Sequence, residues 1–486
     1  MKRVLSLILA LALTLGCTHF ALADDVFELT FAYNVLSAGS LADLDQVVEK
    51  INEISVPEIG VKLKAVPIQV SAYDQQMTLM ITSGEALDLV VGGFGSMLSN
   101  YVATEKILPL NKLLDEHGQG IKELLGDYLE ATTFNGEVYA IPTIRDLCRG
   151  VGLNYDVALA EKYNIDMSQV KSLKDMEKVF EVIKAGEGEN FPCLVISSSG
   201  KSFFTEYVLV DDLGDGNGVL TDFGLDDTNV TFWEATEEYK ELMIMMEDWY
   251  KKGYIQQDVV TSQETKYTML QQNLGFCYTT NCKPGITATA TRSVGREIAC
   301  IQFEDYFATT SQVASIDFAI PQSCANPEKT MDFLNLLYTD SRVATLLACG
   351  IAGKHYQVLD NGKITFPDGV DGKTSTYFPN VSWAVGNQFI TPNWASDPDN
   401  LWDEQKAAND NAKKSLALGF TFDSSNVTAE ITAISNVRNE YRTQIEWGAC
   451  DVEEMLPKYI QALKDAGIET VIAEKQRQLD DWLASK

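Results

Sequence analysis

Residues 27–91 switch repeatedly between two hydrophobic periods, and that switching restricts the fold more than any other feature. "FELTFAY" (27–33) places Phe27, Leu29, Phe31 and Tyr33 on one side of an extended chain, a period of two. Ser40 followed by Asp43 resembles a capping box, and Leu41, Leu44, Val48, Ile51 and Ile54 then recur at helical spacing. "VKLKAVPIQV" (61–70) begins as a second strand, a helix runs from about Tyr73 to Gly84, and "LDLVV" (87–91) is an apolar strand. The order β-α-β-α-β predicts an α/β fold, a parallel sheet with helices on its faces.

The chain has 486 residues, which is too many for one ordinary core and predicts two domains. Its middle is again mixed. "YDVALAEKYNI" and "SLKDMEKVFEVIKAG" read as helices, "FPCLVISSS" (191–199) as a strand and "DGNG" (215–218) as a turn. "ATEEYKELMIMMEDWYKKGYI" is a long helix, with strands near 274–280 and 297–303. Asn326-Pro327 opens another helix with Met331, Leu334 and Leu337 inward. Residues 354–426 are irregular and rich in Gly, Pro, Asn and Trp, and the end is helical.

Lys2 and Arg3 precede an apolar run, Val4 to Leu15, that is too short to span a bilayer and reads as an export signal. Two processing routes fit: cleavage after Ala23, or attachment of a lipid to Cys17 at "TLGC". The net charge of −31 repels phosphate backbones, so no nucleic acid partner is expected. The nine cysteines form no zinc pattern, and only His117 and His355 follow the leader. Cys277 and Cys282 are close enough in sequence to bridge, while buried free thiols are the expectation for most of the eight that follow the leader.

Several chemistries lack their residues. "SSSGKS" (197–202) ends like a phosphate loop, but Val195 stands where its first glycine belongs. "DDLGDGNG" (211–218) has Leu213 at the third position of a calcium loop and reads as a turn. There is no HExxH and no GxSxG. No catalytic residue, metal ligand or cofactor is assigned. In so acidic a chain a glycosidase pair of carboxylates is not singled out by counting.

"SGEALDLVVGG" (83–93), "NGEVYAIPTIRDL" (135–147), "KKGYI" (251–255) and "AIPQSCANPEKTMDFLNLLYTD" (319–340) together resemble the sugar-binding type of extracellular solute-binding protein of ABC importers. "GIAGKHY" (350–356), "WAVGNQF" (383–389), "LGFTFDSSNVTAEI" (418–431) and "IAEKQRQLDDWL" (472–483) resemble the LipO-type lipoproteins and their uncharacterised C-terminal domain. The departure is Thr14, where the lipobox has leucine. The resemblance implies two α/β lobes joined by hinge strands, with a ligand cleft between them. It places the first lobe at 24–147 and 300–345. The second takes 148–299 and 346–486, with a family-specific C-terminal domain from about 350. It implies a monomer, exported to an extracellular or periplasmic location, that closes on a sugar and delivers it to a membrane permease. A secreted enzyme acting on glycans is the rival reading, and a peptide or polyol is a further ligand class.

Ligands of open α/β sheets collect beyond the carboxyl ends of strands. Tyr33 and Asn34 end the first strand, Phe94 follows the third, Arg145-Asp146 lies at the expected first crossing, and Tyr278 ends a second-lobe strand. Flat rings cover the C–H faces of a sugar, and planar polar groups pair with its hydroxyls. "VSWAVGNQFITPNW" (381–394) sets two tryptophans on irregular backbone, where binding residues concentrate. At least one of Trp383 and Trp394 is therefore expected in the cleft with Asn387 nearby. Core packing is the competing role for each ring, a hinge ion pair for Arg145-Asp146, and packing or structure for Trp402 and His355.

Overall fold

The computed structural model describes residues 26–35, 41–91, 97–195 and 202–486. The expected export signal with Cys17, the Ser40 cap, Phe94 and most of "SSSGKS" lie outside them. The opening alternation becomes β1 (Phe27–Val35), α1 (Leu44–Ile59), β2 (Val61–Gln69), α2 (Val70–Ser83) and β3 (Leu89–Val91). Both β1–β2 and β1–β3 are parallel. Each helix stops at a glycine with positive φ, Gly60 and Gly84, where other residues would be strained.

The chain then passes through β4 (Ile141–Pro142) and β5 (Arg149–Asp156), α3 (Glu237–Lys251), β6 (Cys277–Cys282), α4 (Ile286–Val294) and β7 (Ile298–Ala308). β8 (Asp317–Ala319), α5 (Pro327–Thr339) and α6 (Ser341–Cys349) follow. Asn326 caps α5 by accepting from the Lys329 amide at 3.1 Å, with Pro327 at the first position. "FPCLVISSS" is not a regular strand in its described part; only Leu194 bridges, to Ile255 and Cys277. The last elements are α7 (Leu401–Asn411), β9 (Lys413–Lys414), α8 (Thr428–Glu446), α9 (Val452–Asp465) and α10 (Ile468–Ser485).

Two sheets result. One has the order β2-β1-β3-β8-β4, with β8 antiparallel to both its neighbours. The other has the order β9-β7-β5-β6 and is antiparallel except for β9 beside β7. The parallel expectation thus describes the first three strands and not the second sheet.

Each sheet has its own core. Leu29, Phe31, Val90, Phe318, Leu334 and Leu337 belong to the first, and Leu153, Phe180, Met243, Trp249 and Trp447 to the second. The packing departs from the expected division at residue 345: Leu347, Tyr356, Ile364, Tyr377, Val381 and Val385 all lie in the first core. Likewise Phe307 lies in the second core, although 300–345 was expected in the first. Sequence position misled here because the irregular segment after α6 folds back over the first sheet rather than moving on.

The C-terminal helices complete the second core. Ile434, Ile445, Val452, Leu463 and Val471 are all fully buried in it. They also bring charge inside. Lys475, without exposure, donates to the Gly218 carbonyl at 3.1 Å and pairs with Asp215, so an ammonium secures the turn over 211–218. Glu446 accepts from the Phe203 amide at 2.9 Å and from the Ser202 hydroxyl. Burial pushes its carboxyl up to about 7, against the opposing pull of Arg442 and Ser202. The folded state therefore keeps a proton that the unfolded chain releases near pH 4.5. That contribution is fully present below this value and is lost as pH rises through about 7. The wild type should lose on the order of 3 kcal/mol across this window from Glu446. Denaturant titrations of Glu446→Gln should show that part of the pH dependence flattened.

Candidate ligand site between the two cores

Among the described residues the chain passes between the cores at three places, and the three passages lie side by side. Cys148 belongs to the first core and Val151 to the second; Phe307 to the second and Ala308 to the first; Ala412 packs on the first and Ala417 on the second. Arg149 and Lys413 both register with Phe307, and Lys414 registers with Ala308. Adjacent strand ends can bend together without tearing their ladder apart, and this is what two bodies that move about a shared edge require.

Arg145 and Asp146 precede the first passage. Arg145 donates to the Asp146 carbonyl at 2.8 Å, to its carboxylate at 3.2 Å, to the Gln312 carbonyl at 3.1 Å and to the Ser315 hydroxyl. Asp146 also pairs with Lys283 of the second lobe at 2.8 Å. Asn409 ties the same corner: it accepts from the Leu147 amide at 2.9 Å and donates to the Arg145 carbonyl at 2.7 Å. Burial acts to raise the Asp146 carboxyl, but Lys283 and Arg145 outweigh it and hold it at about 2. Arg145 is only 6 % exposed; its two terminal nitrogens are held by protein groups, while Nε has no partner among the described residues.

The other predicted residues separate. Tyr33 is 1 % exposed and stacks on Phe31 at 5.1 Å, inside the first core. Asn34 has no exposure, and its amide has no partner among the described residues. Tyr278 is a core residue instead of a cleft residue. It has no exposed surface, its hydroxyl accepts from Asn154 at 3.0 Å, and Tyr267 meets its ring edge-on at 6.0 Å. Asn387 is likewise structural: it accepts from the Phe389 amide at 3.0 Å and donates to the Tyr338 carbonyl at 3.1 Å. Its segment lies beside Ile144, so it is a neighbour of Arg145 in space.

The tryptophans divide from these. Trp383 and Trp394 are both half-buried against the first core. Trp394 meets Phe366 at 4.7 Å and Phe378 at 5.7 Å, which makes a cluster of three half-buried rings. The loop after it reaches the second lobe, where Arg292 of α4 pairs with Asp397 at 3.2 Å. Trp402 packs on Phe389 and donates to the Thr391 carbonyl at 2.7 Å. His355 is buried and structural: its Nδ1 accepts from the Ile351 amide at 2.9 Å, and Nε2 faces Asp43. Sequence reading did not find Lys283, Gln312, Asn409 or Phe366. Each is an ordinary residue whose role appears only when distant segments meet.

Among the described residues no group of three or more His, Cys, Asp or Glu could hold a metal, and no helix is long and apolar enough to cross a membrane.

Residues 46–352 match the family described as bacterial extracellular solute-binding protein. The chain belongs to that family. Residues 416–484 also match a domain of unknown function, DUF3502. The chain is 27 % identical over 453 residues to a carbohydrate ABC transporter substrate-binding protein of Streptococcus pneumoniae serotype 4, covering 91 % of this chain and 89 % of the relative. It is similar to the crystal structure of the N-glycan transport solute-binding protein NgtS of Streptococcus pneumoniae, with TM-score 0.81 and 25 % identity. That likeness covers 94 % of this chain and 99 % of NgtS. The complex of NgtS with Man5GlcNAc matches at TM-score 0.68 and 25 % identity, over 95 % and 99 % of the two chains. Like these solute-binding proteins, the chain forms two lobes.

The Asp146 network makes a stability prediction. Because its folded carboxyl is depressed, its contribution is present above the unfolded value near 4 and disappears as pH falls through about 2. Asp146→Asn should be less stable than wild type by about 2 kcal/mol at pH 7, with the two converging toward pH 2. Urea titrations at several pH values measure this.

Proposed function

We propose that this protein captures an oligosaccharide between its lobes and delivers it to the membrane permease of an ABC importer. The observation that carries the reading is the likeness in fold to NgtS over nearly the whole of both chains, together with the structure of NgtS in complex with Man5GlcNAc. The three adjacent passages support lobe closure as the capturing step. Trp383 and Trp394 supply rings for the C–H faces of the sugar, and the Arg145–Asp146–Lys283 corner holds the lobes in register. The protein binds and releases without chemistry. It acts outside the cytoplasm, and the mass of its mature N-terminus distinguishes a lipid on Cys17 from cleavage after Ala23.

Calorimetry with a panel of N-glycan fragments should show saturable binding, and chromatography of the same mixtures should show every glycan intact. New products would instead make this a secreted glycan-active enzyme. Small-angle scattering should record a smaller radius of gyration with a bound glycan than without; identical curves at saturation would remove lobe closure.

Trp394→Ala tests the aromatic face. A half-buried ring that meets a sugar should weaken binding and reduce the ligand-induced change in tryptophan fluorescence. The loss of stability should stay below the roughly 3–5 kcal/mol of a truncated core aromatic. Normal affinity in both Trp383→Ala and Trp394→Ala would take the site away from this segment.

A further inference from the structure

All eight described cysteines are free thiols, but two of them meet. Cys282 ends β6, Cys300 lies in β7, and β5 runs between. Strands on opposite sides of a third stand about 10 Å apart, too far for cysteines to bridge. Here β5 contributes Gly150 and Gly152 at the crossing, and its register with β7 shifts between Arg149 and Gly152. A Cβ built on Gly152 would lie 2.6 Å from the Cys282 sulfur and 1.9 Å from the Ile301 carbonyl oxygen. The sulfur therefore sits over the space that glycine leaves open, and it comes within 3.2 Å of the Cys300 sulfur. A bridge within β6, Cys277 to Cys282, which the sequence spacing left open, is excluded: the two residues are the opposite ends of one extended strand.

We propose that Cys282 and Cys300 form a disulfide when the exported protein meets a small-molecule disulfide, pinning the end of β6 to β7 across β5. Extracellular proteins work where such bonds persist, and the family is extracellular. Reaching the ~2.05 Å of a bond requires about 1 Å of movement. Cys300 is half-buried and Cys282 is 1 % exposed, so exchange starts at Cys300. Its thiolate attacks one sulfur of the reagent and releases one thiolate of the reagent. The Cys282 thiolate then attacks the Cys300 sulfur of the mixed disulfide and releases the second. Two protein thiols are oxidised, one reagent disulfide is reduced to two thiols, and the protons of Cys282 and Cys300 pass to the released thiolates. Contact with Cys300 and burial both push the Cys282 thiol up, so the closing step quickens as pH rises. The bridge has a functional position, because Lys283, next in the chain, pairs with Asp146 at the first passage between the lobes.

Of the other described thiols, Cys193 and Cys277 are neighbours, the Cys277 amide donating to the Cys193 carbonyl at 2.8 Å. Cys148 faces Asn409, Cys193 donates to the Phe180 carbonyl, and Cys324 meets Thr330.

The test uses the whole protein with oxidised glutathione, alkylation of remaining thiols, digestion and mass spectrometry. The expected result is one linked peptide pair containing Cys282 and Cys300, a loss of two titratable thiols, and a higher Tm that dithiothreitol reverses. Cys282→Ser should retain glutathione on Cys300, and Cys300→Ser should yield no linked pair. Three outcomes overturn the proposal: alkylation of both cysteines in wild type after oxidation, a glutathione adduct persisting on wild-type Cys300, or a linkage of Cys282 to another cysteine.

Discussion

The structure depends on one ladder. The strand ends at Arg149, Phe307 and Lys413 are neighbours in a single sheet, and through them the chain leaves and re-enters each lobe. Because all three passages share an edge, the lobes have one line about which to move. Passages scattered over the interface would have pinned them. The polar groups beside this edge keep it ordered. Arg145 and Asn409 satisfy carbonyls that the bending backbone would otherwise leave open, and Ser415 donates from its amide to Ala308 at 3.0 Å.

Charge is buried here with its partners. Asp211 accepts from the Ser415 hydroxyl at 2.5 Å beside the third passage, and burial together with Asp212 pushes its carboxyl up to about 6. Arg149, partly buried, lies close enough to feel both carboxylates. Removing one member of such a group leaves the others in a low-dielectric interior, which costs more than the group contributes intact. The consequence is a specified edge, in which strands cannot slide without exposing or orphaning a charge.

What could be read from sequence was local. Period two in "FELTFAY", the stop at Gly84 after α2, and the Asn326-Pro327 cap are short-range physics and appear as read. The lobe to which residues 346–412 belong was not legible, because Tyr356, Tyr377 and Val381 sit on irregular backbone without a period to show a face. Site residues were legible as chemistry and not as position. Arg145 and Asp146 do meet, but their partners Gln312, Lys283 and Asn409 come from more than a hundred residues away. Tyr278 and Asn387 carry the groups a sugar needs and spend them on Asn154, Phe389 and Tyr338. A strand-end tyrosine looks the same in sequence whether its next neighbour is a ligand or a helix.

The interleaving of the lobes has a consequence for biosynthesis. The first core draws on residues as late as Leu418 and the second on residues as late as Leu479, so neither is complete until most of the chain has been made. Even the final residue, Lys486, reaches back to Glu130 of the first lobe at 2.6 Å. Contacts of such long range form slowly. A polypeptide that withholds pieces of both cores until so late in its length assembles its two lobes together instead of one after the other.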